Sequence, residues 1–157
     1  MNTTWHRLTA VVGMLVLASS AALAQAGDPL VGVWTFNAEK SKGTPFVSGT
    51  STIVKEGDGI KVTVDLKRAD GTSSQWSFAA KYDGRDYPVT GNSPFGDTIT
   101  LKRVDAHHYE LTSKLGGKVL STQTTVVSPD GKSRTNTTKG TDARGQAISS
   151  VVVYDRQ

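Results

Sequence analysis

Residues 60–67 read Ile60-Lys61-Val62-Thr63-Val64-Asp65-Leu66-Lys67, and every second residue is a branched apolar side chain. A period of two is what a strand produces when one face is buried and the other is wet, because successive side chains leave the backbone on opposite sides. The same alternation extends outward in both directions. Trp76, Phe78, Ala80 and Tyr82 alternate with Gln75, Ser77, Ala79 and Lys81. Ile99 and Leu101 alternate with threonine and lysine, Tyr109, Leu111 and Leu115 oppose Glu110, Thr112 and Lys114, and Ile148, Val152 and Tyr154 oppose Ser149, Val151 and Val153. No window shows helical periodicity over three turns.

Between these runs stand Asp58-Gly59, Asp70-Gly71, Asp83-Gly84, Gly116-Gly117, Asp130-Gly131 and Arg144-Gly145. Asp-Gly and Gly-Gly supply the positive φ angles that tight hairpins need. Nine or ten strands joined by hairpins form a meander. A meander of that length removes its edges most simply by closing into an antiparallel up-and-down β-barrel, so the expected fold is an all-β barrel of about 8–10 strands. The longest irregular stretches, residues 38–47 and 88–97, are the expected sites of a lid or rim loop.

The chain starts differently. Arg7 precedes a mostly apolar run over residues 8–17, followed by small residues and two Ala-x-Ala sites ending at Ala24 and Ala26. That order is the signature of a cleaved secretory signal peptide over residues 1–26, and the run is shorter than the roughly 20 apolar residues of a membrane-spanning helix. The expectation is a periplasmic or secreted protein with a single domain over residues 27–157. The 157 residues include no cysteine, so neither disulfides nor a lipid anchor through a cleavage-site cysteine contributes. The formal net charge is +4, of which Arg7 contributes one, and the basic residues are scattered, so nucleic acid is not an expected partner. Membrane insertion as a barrel is disfavoured because the aromatics form no girdles and several strands look short for a span of about 9–11 residues.

Candidate chemistry is sparse. Gly57-Asp58-Gly59-Ile60-Lys61-Val62 begins like a dinucleotide fingerprint but lies between strands and lacks the third glycine. Gly91-Asn92-Ser93-Pro94-Phe95-Gly96 resembles a nucleophile elbow in outline, yet Pro94 has no N–H to donate to an oxyanion. His107 and His108 point to opposite faces if they lie on a strand, and Asp83, Asp86, Asn92 and Asp97 lack calcium-loop spacing. No catalytic constellation, metal site or cofactor is expected. One stretch is unusual. Ser133-Arg134-Thr135-Asn136-Thr137-Thr138-Lys139 has strand propensity but no apolar residue on either face. It reads either as a peripheral strand covering little core or as part of a polar lumen with room for a ligand.

Gly32-Val33-Trp34 at the first strand resembles the Gly-x-Trp signature of lipocalins and their calycin relatives, a group that includes small exported bacterial lipocalin-like proteins. The resemblance implies that Gly32 and Trp34 close one end of the barrel beneath a basic residue near the last strand, here Arg156. The ending Val151-Val152-Val153-Tyr154-Asp155-Arg156 looks like that of fatty-acid-binding proteins. There are departures. Residues 38–47 are too few for the helix-turn-helix lid of fatty-acid-binding proteins, and their clamp arginine, two residues before the last-strand tyrosine, is Val152 here. The second lipocalin motif, Thr-Asp-Tyr, is replaced by Arg85-Asp86-Tyr87. The functional expectation is an exported, monomeric binding protein holding a small hydrophobic or amphipathic ligand in the lumen, with Trp76, Phe78, Tyr82 and Tyr87 as wall and rim contacts. The alternative is a cell-envelope structural or interaction protein whose barrel is filled and whose loops meet a partner.

Overall fold

A computed structural model describes residues 27–157, and the signal-peptide expectation for residues 1–26 lies outside the described residues. The strands are β1 (Gly32–Lys42), β2 (Phe46–Glu56), β3 (Gly59–Arg68), β4 (Ser73–Lys81), β5 (Tyr87–Pro88), β6 (Thr90–Gly91), β7 (Thr98–Arg103), β8 (His108–Leu115), β9 (Lys118–Val127), β10 (Ser133–Thr141) and β11 (Ala147–Arg156). All belong to one antiparallel sheet in the order β5-β7-β8-β9-β10-β11-β1-β2-β3-β4-β6. Each long strand therefore pairs with its sequence neighbour, and β11 returns to pair with β1 through Trp34↔Arg156 and Phe36↔Tyr154. The two ends of the sheet, β5 and β6, flank Val89 in the chain and pair with β7 and β4 respectively. An isolated bridge between Asp83 and Lys102 ties the same seam. The result is a nearly closed all-β barrel, as the alternation predicts.

The inward phase is as read. Ile60, Val62, Val64 and Leu66 are all buried, and Phe78, Ala80, Ile99, Leu101 and Tyr109 join them. Sinking each valine, leucine, isoleucine or phenylalanine among them stabilises by about 1.5–3 kcal/mol relative to leaving it in water. Lys61, Thr63 and Lys67 point outward, which is the reverse of the apolar-out pattern of a bilayer-spanning barrel.

Several expectations need correction. Residues 38–47 are not a loop: β1 runs to Lys42 and only Gly43, Thr44 and Pro45 separate it from β2. The apolar pattern is missing there because the strand bulges. Between Asn37 and Lys42 the chain gains residues relative to β11, where the partners are Val153 and Val151. Ser41 fills the gap, its Oγ accepting the Val153 N–H at 3.0 Å. The strands are also longer than expected, since seven reach nine residues or more, so strand length does not count against a membrane span. Leu115 is 41% exposed, not inward, because a register shift after Ser113 turns the end of β8 into the Gly116-Gly117 hairpin. The turn expected at Asp58-Gly59 is Gly57-Asp58, one residue early, and Gly59 pairs with Glu56 as part of β3. Finally, β10 is not peripheral. It pairs along its length with both β9 and β11, and Arg134 and Thr138 are buried.

Candidate binding site in the barrel lumen

Strand direction divides the barrel into two ends. The N-terminal segment and the turns after β2, β7 and β9 lie at one end, while the turns after β1, β3, β8 and β10 lie at the other. The first end is closed by Trp34. Its side chain is wholly buried, and its Nε1–H donates to the Leu30 carbonyl at 3.0 Å. Arg156 covers the ring at 4.2 Å and spends its donors on backbone: Nη1 to Val31 O at 2.8 Å, Nε to Gly131 O at 2.6 Å, and Nη2 to Pro29 O. Glycine is required before Trp34 because a Cβ on Gly32, whose φ is +152°, would sit 2.1 Å from Arg156 Nη1.

A second cluster pins the N-terminal segment across this end. Asp28 accepts hydrogen bonds from the Tyr82 hydroxyl, from the Tyr109 hydroxyl at 2.6 Å and from the Leu30 N–H at 3.0 Å. Burial works to raise its carboxyl, but the two tyrosines, the Leu30 amide and the charge of Arg103 outweigh it and hold the group below the ordinary aspartate value. The same burial, with the Asp28 charge beside them, pushes the Tyr82 and Tyr109 phenols up.

Above this floor lies an interior cavity of about 360 Å³ with two unlike walls. One wall is hydrocarbon, from β2, β3, β4 and β7, with Ile53, Val62, Val64, Leu66, Phe78 and Ile99. The other, from β8, β9 and β10, carries Ser113, Ser121, Gln123, Thr125, Asn136 and Thr138. The polar side chains on β9 and β10 bond to one another across the strands. Thr138 Oγ1 donates to Gln123 Oε1 at 3.3 Å, Gln123 Nε2 to Thr125 Oγ1 at 3.0 Å, and Thr125 Oγ1 to Asn136 Oδ1 at 3.0 Å. Arg134 completes this wall at its deepest point. It faces Tyr154 across β10–β11, with its guanidinium 4.3 Å from the tyrosine ring and 5.2 Å from that of Trp34. Burial pushes its pKa down to about 10, which leaves it charged at neutral pH.

The open end is spanned by the loop after β6. Phe95 packs edge-on against Trp76 at 5.7 Å, and the Pro94 carbonyl accepts the Ala143 N–H from the β10–β11 turn at 2.9 Å. Because β10 and β11 lie midway around the sheet from the β6–β7 seam, this contact crosses the mouth. Phe46 and Arg68 stack on the rim at 4.7 Å.

Of the residues singled out from sequence, Trp76 and Phe78 line the cavity. Tyr82 and Tyr87 do not: Tyr82 follows the end of β4 and turns its hydroxyl to Asp28, and Tyr87 donates to Asp83 Oδ2 at 2.9 Å. His108 bonds to Asp105 at 2.8 Å in the turn before β8. Asp83, Asp86, Asn92 and Asp97 each serve a separate partner, Arg85, Lys114, Gln75 and Gly116. No group of three metal-ligating side chains occurs among the described residues. The sequence places a candidate lid in residues 88–97 and a candidate polar lumen in residues 133–139, but it does not single out Phe95 or Arg134 within them. The available signal for Arg134 was its phase, which it shares with Asn136 and Thr138.

No protein-family model matches the chain, and no curated protein is a significant match. Among solved structures, the chain is similar to zebrafish ileal bile acid-binding protein complexed with cholic acid, at 15% identity. The alignment covers 82% of this chain and 99% of that one, with a TM-score of 0.48.

Proposed function

We propose that this protein binds a small amphipathic molecule inside its barrel. The observation that carries the reading is the cavity of about 360 Å³ with one hydrocarbon wall and one hydrogen-bonding wall. Small-molecule sites combine a mostly apolar lining with a few placed polar groups, and this lumen has that composition. A solid barrel acting only through its loops has no need of such a space. Phe95 and Pro94 act as a lid, since their contacts to Trp76 and Ala143 must open for a ligand to pass.

The segment over residues 1–26 supports an exported carrier, periplasmic or extracellular. A mature chain starting at Gln25 or Gly27 agrees with export, and an intact Met1 opposes it. Binding is tested by native mass spectrometry of protein purified gently from its host, before and after organic extraction. A stoichiometric small molecule lost on extraction supports the carrier. Protein that is free of ligand, and that takes up nothing from the host's envelope extract, rules it out.

A further inference from the structure

Two arginines flank Trp34, and they are used differently. Arg156 has hydrogen bonds from Nε and both terminal nitrogens to backbone carbonyls, so its place in the floor is fully accounted for. Arg134 is 4% exposed, its Nε has no hydrogen-bond partner, and no carboxylate pairs with it among the described residues. Buried charges are ordinarily paired, because an unpaired one gives up its hydration for nothing. The rings of Tyr154 and Trp34 orient the guanidinium by cation–π contact, and the neighbouring Tyr154 hydroxyl helps to keep it charged, but neither side chain is an anion that balances the charge. Arg156 adds a second positive charge nearby. The acidic side chain that lines the cavity, Asp142, belongs to the β10–β11 turn at the mouth, where it is held by Arg144 and by the Gln146 N–H.

A second orphan lies in the same layer. Ser51 is paired with Trp34 across β1–β2, lines the cavity, and has a buried Oγ with no partner. A hydroxyl without a partner and a guanidinium whose Nε has none thus belong to two residues that line the deep end of one cavity. We infer that this end is an anion site, where Arg134 and Ser51 receive the carboxylate of a ligand whose apolar body extends toward the mouth. The inference rests on the lumen-binding reading and adds the charge and the orientation of the ligand. The carboxylate supplies the negative charge that the protein lacks there, and in that buried setting a hydrogen bond to a charged group is stronger than one between neutral groups. Val152, at the position of the fatty-acid clamp, contributes nothing to this; the charge comes from the neighbouring strand.

Titration calorimetry with decanoate and 1-decanol, which share a hydrocarbon chain and differ in the head, separates the two readings. The expected result is decanoate binding tighter than decanol by about tenfold or more. Arg134→Met should abolish that preference by weakening decanoate alone, with decanol affinity unchanged, and Arg134→Lys should recover part of it. Ser51→Ala should weaken decanoate by a smaller factor in a protein whose core is otherwise intact. Equal binding of both probes by the wild type overturns the anion site and leaves the lumen reading standing. Binding of neither overturns both. If Arg134 is merely a brace for the two rings, Arg134→Met loses stability and both probes weaken together.

Discussion

The closed end and the mouth of this barrel are built from similar residue types to opposite effect. At the closed end one tryptophan is enclosed by Arg156, by the Leu30 carbonyl and by the strap that Asp28 fastens to Tyr82 and Tyr109. Each bond there is backed by another, so no single opening admits water. At the mouth an aromatic pair, Trp76 and Phe95, carries a loop whose span to the far side rests on one backbone hydrogen bond, Ala143 to Pro94. Cooperative units with many shared contacts open only with the whole fold, while sparsely held segments open locally at little cost. The floor therefore sets stability, and the mouth sets exchange.

The largest effect expected of this contrast is at Trp34. Trp34→Ala removes a fully buried ring, its Nε1–H bond and the surface on which Arg156 lies. The cost should be about 3–5 kcal/mol in urea unfolding. A loss below about 1 kcal/mol would mean that the floor is not the keystone described here. Gly32→Ala comes next. Its Cβ would displace Arg156 Nη1 from a 2.1 Å separation, and the expected destabilisation is about 1–3 kcal/mol. If that cost comes from moving Arg156, Gly32→Ala combined with Arg156→Ala will cost less than the sum of the two single changes in a double-mutant cycle. Additive costs would place the strain in the backbone instead.

Acid sharpens the comparison further. Asp28 has a folded pKa below its ordinary 3.8, so it stabilises the fold fully above that value and the contribution fades as pH falls through the lowered one. Asp28→Asn should be less stable than wild type at pH 7, and the gap should narrow below about pH 4. Urea midpoints measured at both pH values test this. A gap that is constant with pH would mean that the tyrosine hydrogen bonds, not the carboxylate charge, hold the strap.

How much of this was legible in the sequence depended on whether a residue's role was periodic. The inward phase of Ile60 to Leu66 and the hairpin glycines are local properties, and they led directly to the barrel. Gly32, Trp34 and Arg156 were singled out through a family resemblance, and they meet in space because the last strand returns to the first, which the closed topology requires. Tyr82 is read as a wall residue when alternation is carried past Lys81, where β4 ends, and Tyr87, expected as a wall or rim contact, instead spends its hydroxyl on Asp83. The bulge after Asn37 erased the pattern that would have extended β1. Arg134 was hardest to read. Its polar strand fits either a peripheral position or a polar lumen in sequence, and only the pairing of β10 with both neighbours, with Arg134 buried, decides for the lumen.

The smallest effect on stability should accompany the clearest effect on exchange. Phe95 is half-buried, its edge-on contact with Trp76 is worth about 0.5–1.5 kcal/mol, and no strand depends on it. Phe95→Ala should therefore lower unfolding stability by about 1–2 kcal/mol, the contact together with the part of the ring that is buried. Ligand release is another matter, because the closed loop must leave Trp76 before the lumen opens. Removing the ring lowers the barrier to opening by about the energy of that contact, so the dissociation rate should rise about two- to tenfold. Stopped-flow displacement of decanoate, followed by tryptophan fluorescence, measures the rate. Association should quicken by a similar factor, leaving the equilibrium affinity nearly constant, since a gate that favours neither the free nor the bound state changes both rates alike. A fall in affinity with an unchanged dissociation rate would instead make Phe95 part of the binding wall, and the mouth would then share the static role of the floor.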